Sequence, residues 1–330
     1  MNQLSHLQKN KKNLELRFAI LKAIRDFFSA ENFVEVEVPL IVKFPGQEPN
    51  LSPVKLNIHD EHNNEYTGYL HTSPEYTMKK LLATGWEKIF YLGKTFRDCE
   101  SFGGTHNPEF TMLEFYRAGV GYEQLMQDIE NLCNYISERL KDYKIKRLGE
   151  FKRISMKELW QKYVGVNLDE YLSEDRMFEL CVAQGYQSDK KESYEELFYR
   201  IFLNKIEANL IEPTIVYNYP AKMASLSKLS GTNSNYAERF EVYVNGLELA
   251  NAFSELTNSE EQARRLKLEQ VERGQSGKEV FAIDDDFIEA LNFMPASAGV
   301  ALGVDRLVMI LGGLQNIDNV VTLPMSKLFN

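Results

Sequence analysis

From residue 10 to residue 31, Leu14, Phe18, Leu21, Ile24 and Phe28 recur mostly at intervals of three and four, the period that lays one apolar stripe along a helix. The pattern then changes to alternation. FVEVEVPLI alternates from Phe33 to Val38 and predicts a strand that stops at Pro39, near an edge or interface, because proline has no N–H for a ladder. PGQEPNLSPV is loop, and GYLHTSPEYTMKKLLATG is a short strand that turns into a helix at Ser73-Pro74. KIFYLGKTF and EFTMLEFY form an antiparallel pair joined by the polar, Gly-rich RDCESFGGTHNP, a length that in a hairpin is more often functional than idle.

Residues 120 to 210 are mostly helical by period, and about 141–212 is a mostly helical insertion in a single domain spanning 1–330. TIVYNYP and ERFEVYVNGLELANAF return to strands, the second turning at Asn245-Gly246, a strong short hairpin signal. TNSEEQARRLKLEQVERG is a solvated helix with Thr257 and Glu260 as a capping box and Gly274 as its stop. AGVALGV enters the helix DRLVMILGG, which Asp305 is placed to cap. Strands that pair through hairpins, with helices gathered elsewhere, predict an α+β fold on an antiparallel sheet.

Composition narrows the chemistry. No apolar run of the 330 residues approaches the roughly 20 needed to span a bilayer, and no apolar stretch follows the N-terminal lysines, so a cytoplasmic protein without membrane contact is expected. Cys99, Cys133 and Cys181 are widely spaced and odd in number, which predicts neither disulfide nor zinc site. A net charge of −10 argues against a general nucleic-acid surface, so stable tRNA binding is not expected. Neither GxxxxGK[ST] nor GxGxxG occurs, and any nucleotide must be held in another way.

Strand parity puts Phe110, Met112, Glu114 and Tyr116 on one face and Thr111, Leu113 and Phe115 on the other. A buried carboxylate is costly without a cation or several donors, so Glu114 beside Tyr116 reads either as a cradle for an amine or as an ion pair with one of the chain's own Lys or Arg side chains. The turn at Asn245-Gly246 sets Tyr243 opposite Glu248 with Glu241 on the same side. Two such carboxylates suit Mg²⁺ with phosphates, or lie on the surface. Asn251 and Glu255 have the opposite parity to Glu248, and a bulge or helical start after Ala250 is needed to turn them inward. Arg97, at a strand end, and Arg306, in the first turn of the last helix, are suited to phosphate or a stacked base, or to surface salt bridges.

FVEVEVPLI, FRDCESFGGTHNPEFTMLEFY and GVALGVDRL resemble motifs 1, 2 and 3 of class II aminoacyl-tRNA synthetases of the lysyl branch. With TSPEYTMKKLL and ERFEVYVNGLELANAFSELT the resemblance covers nearly the whole chain. Motif 1 begins within the first thirty-odd residues, which leaves no room for the N-terminal anticodon-binding barrel of that branch. The sequence is closer to its truncated paralogs, which lysylate elongation factor P, and YPAKMASLSK is similar to theirs. Ala301 stands where the tRNA enzymes usually have glycine, and the resemblance associates this alanine with (R)-β-lysine in preference to lysine.

The resemblance implies roles residue by residue. Arg97 would clamp the α-phosphate of ATP, His106 would reach the terminal phosphates, and Asn107 would contact adenine. Phe110 and Arg306 would sandwich the base, with Leu249 and Gly303 against the nucleotide. Glu241 and Glu248 would hold Mg²⁺. Glu114, Tyr116 and Glu255 would take the substrate's side-chain amine, with Ser73, Glu75 and Asn251 at its other polar end. The implied enzyme is an ATP-dependent, amide-forming ligase and a homodimer, with elongation factor P as partner. Alternatives are an activating enzyme for another acceptor and a non-catalytic regulatory paralog. Motif 2 departs from the family's Arg-x-Glu, since Arg97-Asp98-Cys99-Glu100 inserts a residue and leaves Glu100 or Asp98 for that role.

Overall fold

The computed structural model describes residues 2–329. In chain order its helices are α1 (Gln3–Ala30), α2 (Glu75–Ala83), α3 (Tyr122–Arg139), α4 (Met156–Tyr163), α5 (Glu174–Ala183), α6 (Tyr194–Lys205), α7 (Ser259–Gln275), α8 (Asp285–Leu291), α9 (Val304–Gly312) and α10 (Met325–Leu328). The strands are β1 (Val34–Glu35), β2 (Ile41–Val42), β3 (Lys55–His59), β4 (Glu65–Leu70), β5 (Lys88–Phe96), β6 (Glu109–Ala118), β7 (Lys152–Ser155), β8 (Thr214–Pro220), β9 (Tyr236–Val244), β10 (Leu247–Ser254) and β11 (Ser297–Gly303).

Eight strands form one sheet in the order β1-β5-β6-β11-β10-β9-β8-β7, and β2-β4-β3 form a small second sheet. All inner pairs of the large sheet are antiparallel, and only the two end pairs, β1/β5 and β7/β8, are parallel. The fold is α+β, as the pattern predicts. No helix of the described residues is long and apolar enough to cross a membrane.

One sheet face carries Leu113, Phe115, Phe240, Val242, Ala252 and Val300 into the main core under α1, α3 and α9. Phe28 of α1 is fully buried there, its ring centroid 4.8–4.9 Å from those of Phe33, Phe90 and Phe115. Burial of each such side chain contributes about 1.5–3 kcal/mol. The opposite face is left for chemistry. It is walled by α2, α7 and α8, which pack on Tyr91 and Tyr116, and by α4, α5 and α6, which pack on Tyr219 and Tyr243.

Four sequence expectations need correction. The first helix begins at Gln3, not near residue 10, and is N-capped by Asn2. The strand from Phe33 to Val38 shrinks to two residues, because only Val34 and Glu35 find a neighbour, Ile89 and Phe90. Residues 141–212, expected to be mostly helical, are so, and their one strand, β7, extends the sheet beside β8; this needs no correction. Helix α7 is capped by Asn258, whose side chain accepts from the Glu261 N–H, instead of by Thr257 with Glu260; it passes Gly274, and the left-handed residue is Gly277 at φ 69°. Asp305 does not cap α9. It is buried inside the first turn, where it pairs with Arg17 of α1 and accepts the Thr111 N–H, so its charge locks α1 to β6.

Candidate active site

The hairpin at Asn245-Gly246 forms as expected, with both residues at positive φ and Tyr243 opposite Glu248. The register then shifts between Glu248 and Ala250, so that Asn251 faces Glu241. Leu249 is the extra residue of this bulge, which falls before Ala250, not after it. A bulge re-aims every side chain beyond it, and here Glu248, Asn251 and Glu255 all reach the open sheet face. Asn251 and Glu255 line a cavity of about 140 Å³ with Ser73, Glu75, Glu114, Tyr116 and Ala301.

Glu114 meets two hydroxyl donors, Ser73 Oγ at 2.8 Å and Tyr116 Oη at 2.7 Å, and no Lys or Arg of the described residues pairs with it. Burial, and then the nearby Glu75, push its carboxyl from 4.5 up to about 8. The chain's own cation stands elsewhere. Lys79, one turn beyond Glu75 on α2, lies 2.5 Å from Glu75 and 2.6 Å from Glu255. Burial raises Glu255 to about 7, against the pull of Lys79. Its Oε1 has no partner, nor has the Asn251 Oδ1. The pocket therefore has acidic and polar acceptors in excess of its donors, the condition that favours a bound ammonium.

Next to it opens a cleft of about 900 Å³, within the size range of small-molecule sites. Arg97, Glu100, His106, Phe110, Glu248, Leu249, Gly303 and Arg306 all line it. The Arg97 guanidinium lies 5.1 Å from the Phe110 ring centroid, its Nε has no hydrogen-bond partner, and no carboxylate of the described residues forms an ion pair with it. A half-buried, unpaired guanidinium is a strong anion site. Arg306 donates to the Glu248 carbonyl oxygen at 2.8 Å and reaches His106 Nε2 at 3.0 Å. Burial, and then Arg306, lower the His106 pKa, which suits the neutral ring that accepts this bond. Of the two motif 2 acids, Glu100 faces the cleft, whereas Asp98 is exposed and bonds the Cys99 N–H.

Two implied roles fit less well. Asn107 lines the cleft but is buried, with Nδ2 donating to the Glu109 carbonyl oxygen and Oδ1 accepting the Met325 N–H, so its side chain ties the motif 2 loop to α10 and keeps one Nδ2 hydrogen for a ligand. Glu241 and Glu248 do share one face, but Glu241 is closed by Arg239 at 2.6 Å, Tyr219 at 2.6 Å and Tyr243. Of the two, only Glu248 faces the cleft, raised by burial and by Glu241, with Arg306 3.6 Å from its Oε2. A single cleft-facing carboxylate fits Mg²⁺ held chiefly by phosphates and water, and not a cage of protein ligands; no cluster of three metal-ligating side chains exists among the described residues. Lys79 and Arg239 were not anticipated. Their signals were the four-residue spacing from Glu75 on a helix and the two-residue spacing from Glu241 on a strand.

The family model of class II tRNA synthetases (D, K and N) matches residues 3–327. A lysine–tRNA ligase of Wigglesworthia glossinidia brevipalpis is 35% identical over 96% of this chain, which spans 65% of that protein's length. An elongation factor P–(R)-β-lysine ligase of Avibacterium paragallinarum is 36% identical over 94% of both chains, and a homolog of that ligase from Aquifex aeolicus is 36% identical over 90% of this chain and 94% of its own. The cleft with its free guanidinium, the acidic pocket beside it and these matches agree: the chain belongs to the class II tRNA synthetase family of the D, K and N type, a family of ATP-dependent ligases.

Proposed function

We propose that the chain activates a lysine-type diamino acid, (R)-β-lysine or lysine, with ATP and transfers it to a lysine side chain of elongation factor P. One observation carries the reading: Arg97, Met112, Asn251 and Ala301 line both the large cleft and the acidic pocket, so the two meet at an unpaired guanidinium. A diamino acid whose amines sit among Glu75, Glu114 and Glu255 presents its carboxylate at that junction, beside the α-phosphate of ATP in the cleft. The carboxylate oxygen attacks the α-phosphorus and pyrophosphate leaves; the acceptor amine then attacks the carbonyl carbon of the adenylate, and AMP leaves with the bond electrons. Positioning and charge neutralisation supply the catalysis. Arg97 and Arg306 offer charge to the phosphates, Phe110 offers a ring for stacking, and His106 offers a neutral nitrogen. Mg²⁺, when bound at Glu248, neutralises part of the triphosphate charge.

Ala301 places a methyl on the floor of the junction and bears on which lysine isomer fits. The exposed Val34, Leu40 and Ile41 beside the short edge strand β1 support a homodimer formed there. The relatives named lysine–tRNA ligases favour a second reading, with tRNA as acceptor. Amino-acid-dependent pyrophosphate exchange tests the first half. Exchange with a lysine isomer is expected, and Arg97→Ala is expected to lower it about 100-fold or more, the usual loss for a transition-state charge donor; a flat response to every lysine isomer would end the proposal. Labelled product on elongation factor P, and none on tRNA, is the expected second half.

A further inference from the structure

The amine pocket contains a cation that the chemistry above does not use. Lys79 has no exposed surface, and its ammonium sits between Glu75 Oε1 and Glu255 Oε2, contributed by α2 and by the residue after β10. From β6, Glu114 faces the same space with its two hydroxyl donors, and from α8 the Phe287 ring lies 6.0 Å from Nζ. Burial alone would discharge such an ammonium, but Glu255 and Glu75 outweigh it and hold the lysine above its ordinary value. Fully buried lysines are rare and persist only when paired, and as a source of stability a buried ion cluster does no better than apolar packing. A role in the pocket's charge accounts for its presence better.

The balance can be counted. With Glu114 ionised against a bound ammonium, Glu75, Glu114 and Glu255 stand against Lys79 alone; at the junction burial pushes Glu48 toward its neutral form, and Arg97 is left for the ligand's own carboxylate. Lys79 takes one oxygen of Glu75 and one of Glu255, and the other Glu255 oxygen has no partner. We propose that Lys79 is a specificity-determining positioning residue: it fixes the Glu75 and Glu255 carboxylates and leaves the pocket short of two positive charges, so that a ligand with two ammonium groups is selected over one with a single group. This rests on the reading that the pocket receives a diamino acid. Specificity then comes from an unpaired buried charge that a mono-amine leaves behind.

The test uses pyrophosphate exchange by the full chain with lysine isomers, and with norleucine as the mono-amine of matching length. For Lys79→Met, which keeps the volume and removes the charge, KM for the diamino acid is expected to rise at least tenfold with a smaller change in kcat. The acid limb of its pH profile is expected to move to higher pH, because Glu255 loses the cation that lowers its pKa. Lys79→Arg is expected to restore both to within about threefold of wild type, and carries the test alone if the Met variant does not fold. A Lys79→Met enzyme with wild-type KM, pH profile and discrimination against norleucine overturns the inference, as does a folded Lys79→Arg enzyme with KM raised tenfold. Absence of exchange in the wild type would instead overturn the proposed function.

Discussion

Replacing Glu114 by glutamine separates the cost of the pocket's charge from its use. Glutamine keeps the shape and the acceptor oxygen for Ser73 or Tyr116 but cannot ionise. The folded-state pKa is raised from 4.5 to about 8 by burial and by Glu75. Above 4.5 the unfolded chain gives up this proton while the folded chain keeps it, so wild-type stability is fully present below that value and declines as pH rises toward 8. Each pH unit of the window costs about 1.4 kcal/mol, at most about 5 kcal/mol in all. Glu114→Gln is therefore expected to gain on the wild type with rising pH, by about 2 kcal/mol or more between pH 5 and pH 9, while losing amino-acid-dependent pyrophosphate exchange. Urea unfolding of both proteins at pH 5, 7 and 9 reads the difference. A gap that does not change with pH would refute the assignment of Glu114 as a buried acid that stays neutral until an ammonium faces it.

Two further changes probe the surroundings. At Gly299 a Cβ would lie 2.2 Å from the Tyr116 ring and 2.6 Å from Glu255 Oε1; Gly299→Ala is expected to cost about 1–3 kcal/mol by overpacking and to raise KM for the amino acid, and wild-type values in thermal melting and steady-state kinetics would contradict the geometry. Arg17→Met leaves the buried Asp305 without its cation and is expected to lower stability by about 3–5 kcal/mol, measured by urea unfolding, a loss below about 1 kcal/mol showing that the pair does not hold α1 to the sheet.

Local periodicity and turn chemistry determined a good deal by themselves. The hairpin at Asn245-Gly246, the strands Lys88–Phe96 and Thr214–Pro220, and the shared face of Met112, Glu114 and Tyr116 all follow from the period of two or from backbone preferences that involve only neighbouring residues. What needed a partner from far along the chain was decided by the tertiary structure. Asp305 looked like a cap because a cap is local, yet Arg17, 288 residues away, claims it. Asn107 looked wholly free for adenine, yet its side-chain oxygen accepts the N–H of Met325, 218 residues away. The bulge at Leu249 was required by the chemistry of Glu248, Asn251 and Glu255, but where the ladder slips is set by packing against β9 and β11, not by the residues themselves. The same holds for the identity of the cation near Glu255: one turn of helix predicts that Lys79 meets Glu75, and only the packing of α2 against the end of β10 delivers it to a second carboxylate. Such energies depend on distances between segments remote in sequence, about which a one-dimensional pattern carries no information.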